Sequence, residues 1–189
     1  MDDLERELKK AFEQATEAYR SINDYAIEIG VVEENTKRKP EKEDAKKKTK
    51  GKTKQVVASV GITNAQLMFI HENGSPLHHI PARPALQYTI DEAIKTLLPA
   101  TLKRIEDGCF NHNWTKADVK IELEKMCIRM QSIARRIIFR SNKLEKNSPA
   151  TIKAKGSDQP LVDTGKLGRS ITCQLVLLSE PKIKTNDSG

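Results

Sequence analysis

Four short patterns hold residue types that could do chemistry. His71-Glu72 followed by His78-His79 invites a zinc reading. The zinc-binding HExxH arrangement needs its histidines four apart on one helix, so that both face the metal. Here seven positions separate His71 from His78, and Gly74 and Pro76 interrupt the helix, so His71 reads as part of a packed joint before a turn. Cys109-Phe-Asn-His112 has ligand-like spacing, but no second pair elsewhere completes it, and it reads as structural. Asp163-Thr164-Gly165 matches the catalytic triplet of aspartic proteases, whose chemistry takes two carboxylates sharing one proton. The chain has one such triplet, and only dimerisation would supply the second. The competing reading is a cap. Asp163 or Thr164 accepts backbone N–H bonds from a short helical turn opening near Lys166, and Gly165 permits the bend.

Arg83 is the fourth. It stands in Pro81-Ala82-Arg83-Pro84, a costly way to present a guanidinium unless its direction matters. We expect an ion pair with Glu72 or Asp163 that pins distant stretches of chain or bridges subunits; the plainer reading is a solvated loop arginine. No phosphate-cradling glycine loop, nucleophile elbow or paired cysteine motif occurs. The expectation is therefore no enzyme, with no catalytic residue, no cofactor and no metal.

The elements that must position these residues follow from periodicity. Over 189 residues, 37% hydrophobic, 31% charged and 4% aromatic, the composition suits one domain with a modest core and a large polar surface. The shortfall of bulky apolar side chains points to stability drawn partly from neighbouring subunits. Leu4, Leu8, Ala11, Phe12, Ala15, Tyr19 and Ile22 recur at spacings of three and four, which predicts an amphipathic helix over 3–23 rather than a secretory leader. Residues 25–32 and 55–62 have strand character and are expected to pair. Asn64 to Glu72 predicts a short helix stopped by Asn73-Gly74. A helix over 84–107 is expected to bury Leu86, Ile90, Ala93, Ile94, Leu97 and Ile105, to kink at Pro99 and to end at Gly108. Thr115-Lys-Ala-Asp118 resembles a capping box, opening a helix to about Arg140 with Val119, Leu123, Met126, Met130, Ile133, Ile137 and Ile138 inward. Residues 141–159 read as loop, 171–178 as a strand and 180–189 as a loose tail. The fold class expected is α+β, one domain over 1–189: a small twisted antiparallel sheet packed against two long helices, with an N-terminal amphipathic helix and a long basic hairpin arm.

That arm, residues 33–54, carries the charge. The net +7 resides in 36–54, where Lys37, Arg38, Lys39, Lys42, Lys46, Lys47, Lys48, Lys50, Lys52 and Lys54 stand against three acids, leaving 23 basic and 23 acidic residues elsewhere. The arm is the expected partner-contact segment. It could attract DNA phosphates without sequence preference, or reach an acidic protein surface and order there. No aromatic residue interrupts the lysines, which disfavours base stacking. Cys109, Cys127 and Cys173, odd in number and without paired spacing, fit a reducing cytosol. No apolar run is long enough to span a membrane.

Two blocks carry a family resemblance. The first, Ile70 to Leu86, reads IHENGSPLHHIPARPAL; the second, Asn147 to Thr172, reads NSPATIKAKGSDQPLVDTGKLGRSIT. Together and in order they resemble the tail-completion, or virion-morphogenesis, proteins of tailed bacteriophages, which build the neck between portal and tail tube. The first pattern falls on His71, Glu72, Gly74, Ile80, Pro81, Ala82, Arg83 and Pro84. The second falls on Ser148, Pro149, Ala150, Thr151, Leu161, Asp163, Thr164, Gly165 and Leu167. Asn73 stands where that family has an aromatic residue, Ala85 where it has Phe, and the basic insertion is unusually long. The resemblance implies a non-enzymatic virion subunit at the head–tail junction, assembled in the host bacterial cytoplasm. It implies a ring, expected to be hexameric, that partners portal or adaptor proteins and tail tube or terminator proteins, with genomic DNA in its channel.

Overall fold

The computed structural model describes residues 3–31, 62–162 and 165–178. Among the described residues, helices and one two-stranded antiparallel sheet make up the fold, which is α+β. In chain order the elements are α1 (Asp3–Arg20), β1 (Tyr25–Val31), α2 (Asn64–Asn73), α3 (Ala85–Glu92), α4 (Leu98–Asn111), α5 (Lys116–Arg140), α6 (Pro149–Lys155), α7 (Lys166–Arg169) and β2 (Ile171–Leu177). The basic segment 33–54, the partner strand expected over 55–62 except Ile62, which is not in a strand, and the tail 180–189 lie outside the described residues.

Contacts divide the chain into two compact units, one of residues 1–29, 88–133 and 173–189, the other of residues 30–87 and 134–172. In the first, β1 pairs with β2, with Glu28 accepting a bond from the Gln174 side-chain amide at 3.0 Å and Asp24 O accepting from Leu178 N at 2.7 Å. Ala18, Ile105, Cys109, Val119 and Leu123 form one buried cluster, covered by Tyr19, Ile22, Tyr25, Trp114 and Leu175. Ala93, Met126 and Met130 form another, covered by Ile27, Ile29, Leu97, Leu98 and Cys173. Fully buried side chains such as Ile105 and Val119 each contribute roughly 1.5–3 kcal/mol.

The helix expected over 84–107 is broken differently. α3 gives way to a π-helical turn over Ala93–Leu97, and Pro99 then sits in the first turn of α4. Pro99 lacks an N–H and its ring would meet the carbonyl four residues back, so the wider turn is where the strain is relieved. The extra residue turns Ile94, expected inward, out to solvent. Gly108 does not end the helix; α4 runs on to Asn111. A Cβ on Gly108 would lie 2.2 Å from the Trp114 ring, so this glycine exists for close packing.

α5 opens as its sequence predicts. The Asp118 carboxylate accepts from Thr115 N at 2.8 Å and from the Thr115 hydroxyl at 2.7 Å. Its inner face holds a carboxylate the apolar pattern concealed. Glu122 is buried, paired with Arg104 and, at 3.1 Å, with Lys125. The cations reach solvent at their far ends, so the desolvated partner is the carboxylate alone.

Two outcomes are expected here. The bonds from Thr115 hold Asp118 below its ordinary value of 3.8. The cap is therefore in full force above that value and is lost as pH falls through the lower, folded one. Asp118→Asn should flatten the acid limb of a stability-against-pH curve, whereas an unchanged limb would show that the cap contributes nothing. Replacing Gly108 with Ala should cost about 1–3 kcal/mol in urea unfolding, because the Trp114 ring must move.

Candidate functional site

The second unit brings the two sequence blocks together. α2 opens with a full capping box, Gln66 N donating to the Thr63 hydroxyl at 3.2 Å and Thr63 N to the Gln66 side chain at 2.9 Å. It closes at Gly74, whose φ of +76° suits glycine and whose missing side chain leaves room for Ala82 N, 2.9 Å from where a Cβ would stand. Ser75 and Ile80 then exchange both backbone bonds, at 2.8 and 3.0 Å, around a short turn carrying Pro76, Leu77 and His78. His79 follows with φ +52°. This small loop returns the chain so that Arg83 N donates to His71 O at 2.6 Å.

Arg83 is buried, and among the described residues its partners lie on the 145–147 stretch. Its Nε donates to Glu145 O at 2.7 Å, and its Nη2 to Lys146 O at 3.0 Å and to Asn147 Oδ1 at 3.4 Å. Glu72 does not pair with it. The Glu72 carboxylate accepts from Leu86 N at 3.1 Å and Gln87 N at 2.8 Å, and so caps the start of α3. A carboxylate is favoured there because the first N–H groups of a helix lack backbone partners. Asp163 and Thr164 lie outside the described residues. Burial pushes the Arg83 guanidinium below its ordinary pKa, opposed by the nearby Glu145 charge. Among the described residues, two backbone carbonyls and the Asn147 amide hold the guanidinium.

Asn147 extends the clamp. With its oxygen on Arg83, its amide donates to Asp158 O and Gln159 O, both at 3.2 Å, and the Gln159 side chain donates to Ile138 O at 2.8 Å. The segment expected to be loop contains α6, capped where Ser148 Oγ accepts from Thr151 N at 3.2 Å and closed by Gly156 at φ +70°. Ser-Pro followed by Thr was the signal for that cap; α6 is too short and polar to show a periodic stripe. Gly165, at φ +73°, does permit the bend before the turn at Lys166. A Cβ on Gly168 would come within 2.6 Å of the Phe139 ring, and Leu167 is buried.

What results is an open groove of about 1270 Å³. Leu67, Ile80, Pro81, Leu161 and Leu167 supply its apolar lining, and among the described residues His78, His79, Lys146 and Lys166 stand around it with Glu145 as the one acid. Such a surface suits an acidic, partly apolar protein segment better than a small substrate. Among the described residues, no three His, Cys, Asp or Glu side chains converge as a metal site. The sequence singles out His71, Glu72, Gly74, Pro81, Arg83, Pro84, Asp163, Thr164, Gly165 and Leu167; of these, His71, Pro81, Arg83, Gly165 and Leu167 line the groove, and Asp163 and Thr164 lie outside the described residues. It missed the amide of Asn147, the residue the arginine needs. Comparison of the chain with family models, curated proteins and solved structures finds no match.

Asn147→Ala should leave two carbonyls and one guanidinium nitrogen short of a partner, at a cost of about 1–3 kcal/mol in denaturant unfolding. Glu72→Ala should cost roughly 1 kcal/mol, the usual size of a lost helix cap. A smaller effect for Asn147 than for Glu72 would show that the clamp is peripheral.

Proposed function

We propose that the chain is a structural subunit of a tailed phage particle, one copy in a ring at the head–tail junction that joins connector to tail and lines the DNA channel. The observation that carries this reading is on α1. Leu4, Leu8 and Phe12 stand one turn apart and are 62%, 63% and 64% exposed. Phe110, also exposed, extends the patch, its ring 6.0 Å from that of Phe12. A run of large apolar side chains on one face marks a protein contact surface more often than a monomer's ordinary exterior. Ring closure by equal, head-to-tail contacts would cover it. The clamp supports the same reading, because it joins the two blocks in which the sequence resembles neck proteins.

In this account the small sheet and its long helices are the body of the subunit. The basic segment 36–54 is the arm that meets an acidic surface of a connector or tail protein. The work done is geometric, with no reaction catalysed and no cofactor required.

A second reading is favoured by one feature. Ten cations within Lys37 to Lys54 give that segment a local charge of +7, enough for a nucleic-acid-binding protein acting through the arm alone. The two readings separate on solution mass and on DNA affinity. Light scattering of the purified protein, alone and with its portal and tail partners, should give a discrete ring. A monomer that ignores both partners and binds DNA tightly in low salt would sink the ring and favour the arm. Leu8→Glu together with Phe12→Glu should weaken assembly at least about tenfold while leaving the fold intact, since each side chain would otherwise bury roughly 1.5–3 kcal/mol of apolar surface.

A further inference from the structure

A ring closed by head-to-tail contacts needs two unlike surfaces on each copy, one to give and one to receive. The first is the α1 ridge of Leu4, Leu8 and Phe12, all exposed, which spans about 12 Å along the helix axis. At about 100° per residue, Glu5 and Glu7 fall on its two flanks, while Lys9 and Lys10 turn toward its back. There Lys9 lies 4.0 Å from Glu13, and Arg6 pairs with Asp3 at 3.3 Å. The ridge therefore presents apolar side chains between two acids.

The receiving surface is the groove of the second unit. Its lining is apolar, and Leu77, 84% exposed, lies in the chain between the lining residues Pro76 and His78. Among the described residues, Lys146, Lys166, His78 and His79 stand around it with Glu145 as the one acid. At about 1270 Å³ it is larger than the roughly 300–1,000 Å³ of small-ligand pockets, which suits a helix ridge. The unit's other apolar patch, around Phe69 on α2, is lined by Ile62, Ala65, Gln66 and Ile70, with no cation among the described residues. Charge thus separates the two candidates.

We propose that the α1 ridge of one copy seats in the Arg83 groove of the next, with Leu4, Leu8 and Phe12 against the apolar lining and Glu5 and Glu7 against the basic rim. The inference rests on the ring reading and deepens it by naming both halves of the contact. A two-fold pairing of α1 with α1 would cover the same ridge, but it closes at two copies and leaves the groove open. Ridge-to-groove contact repeats from copy to copy until the ring closes. The clamp gains a purpose as well. Arg83 and Asn147 fix the 145–147 backbone, and so hold Lys146 where the incoming acids meet it.

The test places a photo-crosslinker on the ridge of the full chain, as Leu8→p-benzoylphenylalanine and, separately, Leu4→p-benzoylphenylalanine. Light- and heavy-isotope protein are mixed equally, alone and with the portal and tail partners, then illuminated. Peptide mapping reads which residues are joined, and whether they come from one copy or two. The expected result is links between copies, from α1 to the peptides holding Leu67, Ile80, Pro81, Lys146 and Leu161. H78E combined with K146E, or high salt, should lower their yield at least about threefold. Both substituted side chains are exposed, so the fold should persist, which circular dichroism checks. Links unaffected by that pair of changes would overturn the charge pairing that selects the groove. Links between copies that fall on α1, or on α2 around Phe69, would overturn the groove as receiver and leave the ring standing. So would links confined to one copy or to a partner protein, in a ring that light scattering still detects. A monomer under every condition, with no link between copies, would overturn both the contact and the ring.

Discussion

A buried guanidinium held by backbone carbonyls and an amide is the constraint on which the second unit depends. Arg83 cannot shed its charge at any ordinary pH, so burying it demands that oxygen atoms be held around it. Glu145, Lys146 and Asn147 supply them from a stretch about sixty residues further along the chain. The dependence runs both ways: Pro81 and Pro84 limit where the arginine can point, and the three acceptors fix where the 145–147 backbone can go. Carbonyl partners carry no net charge, so the arrangement specifies direction more than it adds stability, and the groove that forms keeps a basic rim.

Glu122 poses the opposite problem within the first unit. A buried carboxylate on the inner face of α5 is met by Arg104 and Lys125, both of which keep contact with water. Polar groups placed so precisely among apolar neighbours limit the ways α4 and α5 can slide past one another, because any other register strands the charge. The long helix thus carries its apolar stripe and a registration point side by side.

The helices with long apolar stripes were legible in the sequence. Val119, Leu123, Met126 and Met130 repeat often enough to fix the buried face of α5, and Thr115 with Asp118 marks its start. Local steric chemistry was legible too, as at Gly74 and Gly165. Three things were not. The π-turn before Pro99 depends on how strain is shared over a whole turn. Gly108 looks like a helix stop until the Trp114 ring is seen above it, and glycine's two uses cannot be told apart from its name alone. The third is the role of Glu72: charge alone pointed it at Arg83, while in the fold it caps α3 and carbonyls and an amide hold the arginine. Glu122 could have been suspected, since it falls within the Val119–Leu123–Met126 stripe.

A groove built around one arginine and an exposed apolar face on α1 are the two surfaces the proposed ring subunit would offer its neighbours. Arg83 organises both blocks at once, and amide hydrogen exchange on Arg83→Lys tests this most directly. Lysine keeps the charge but cannot reach three acceptors in a fixed fork. Protection should fall together in residues 75–87 and 141–162, while α1 and α4 exchange as in the unaltered chain. Loss of protection confined to residues 81–85, with 141–162 unchanged, would contradict it.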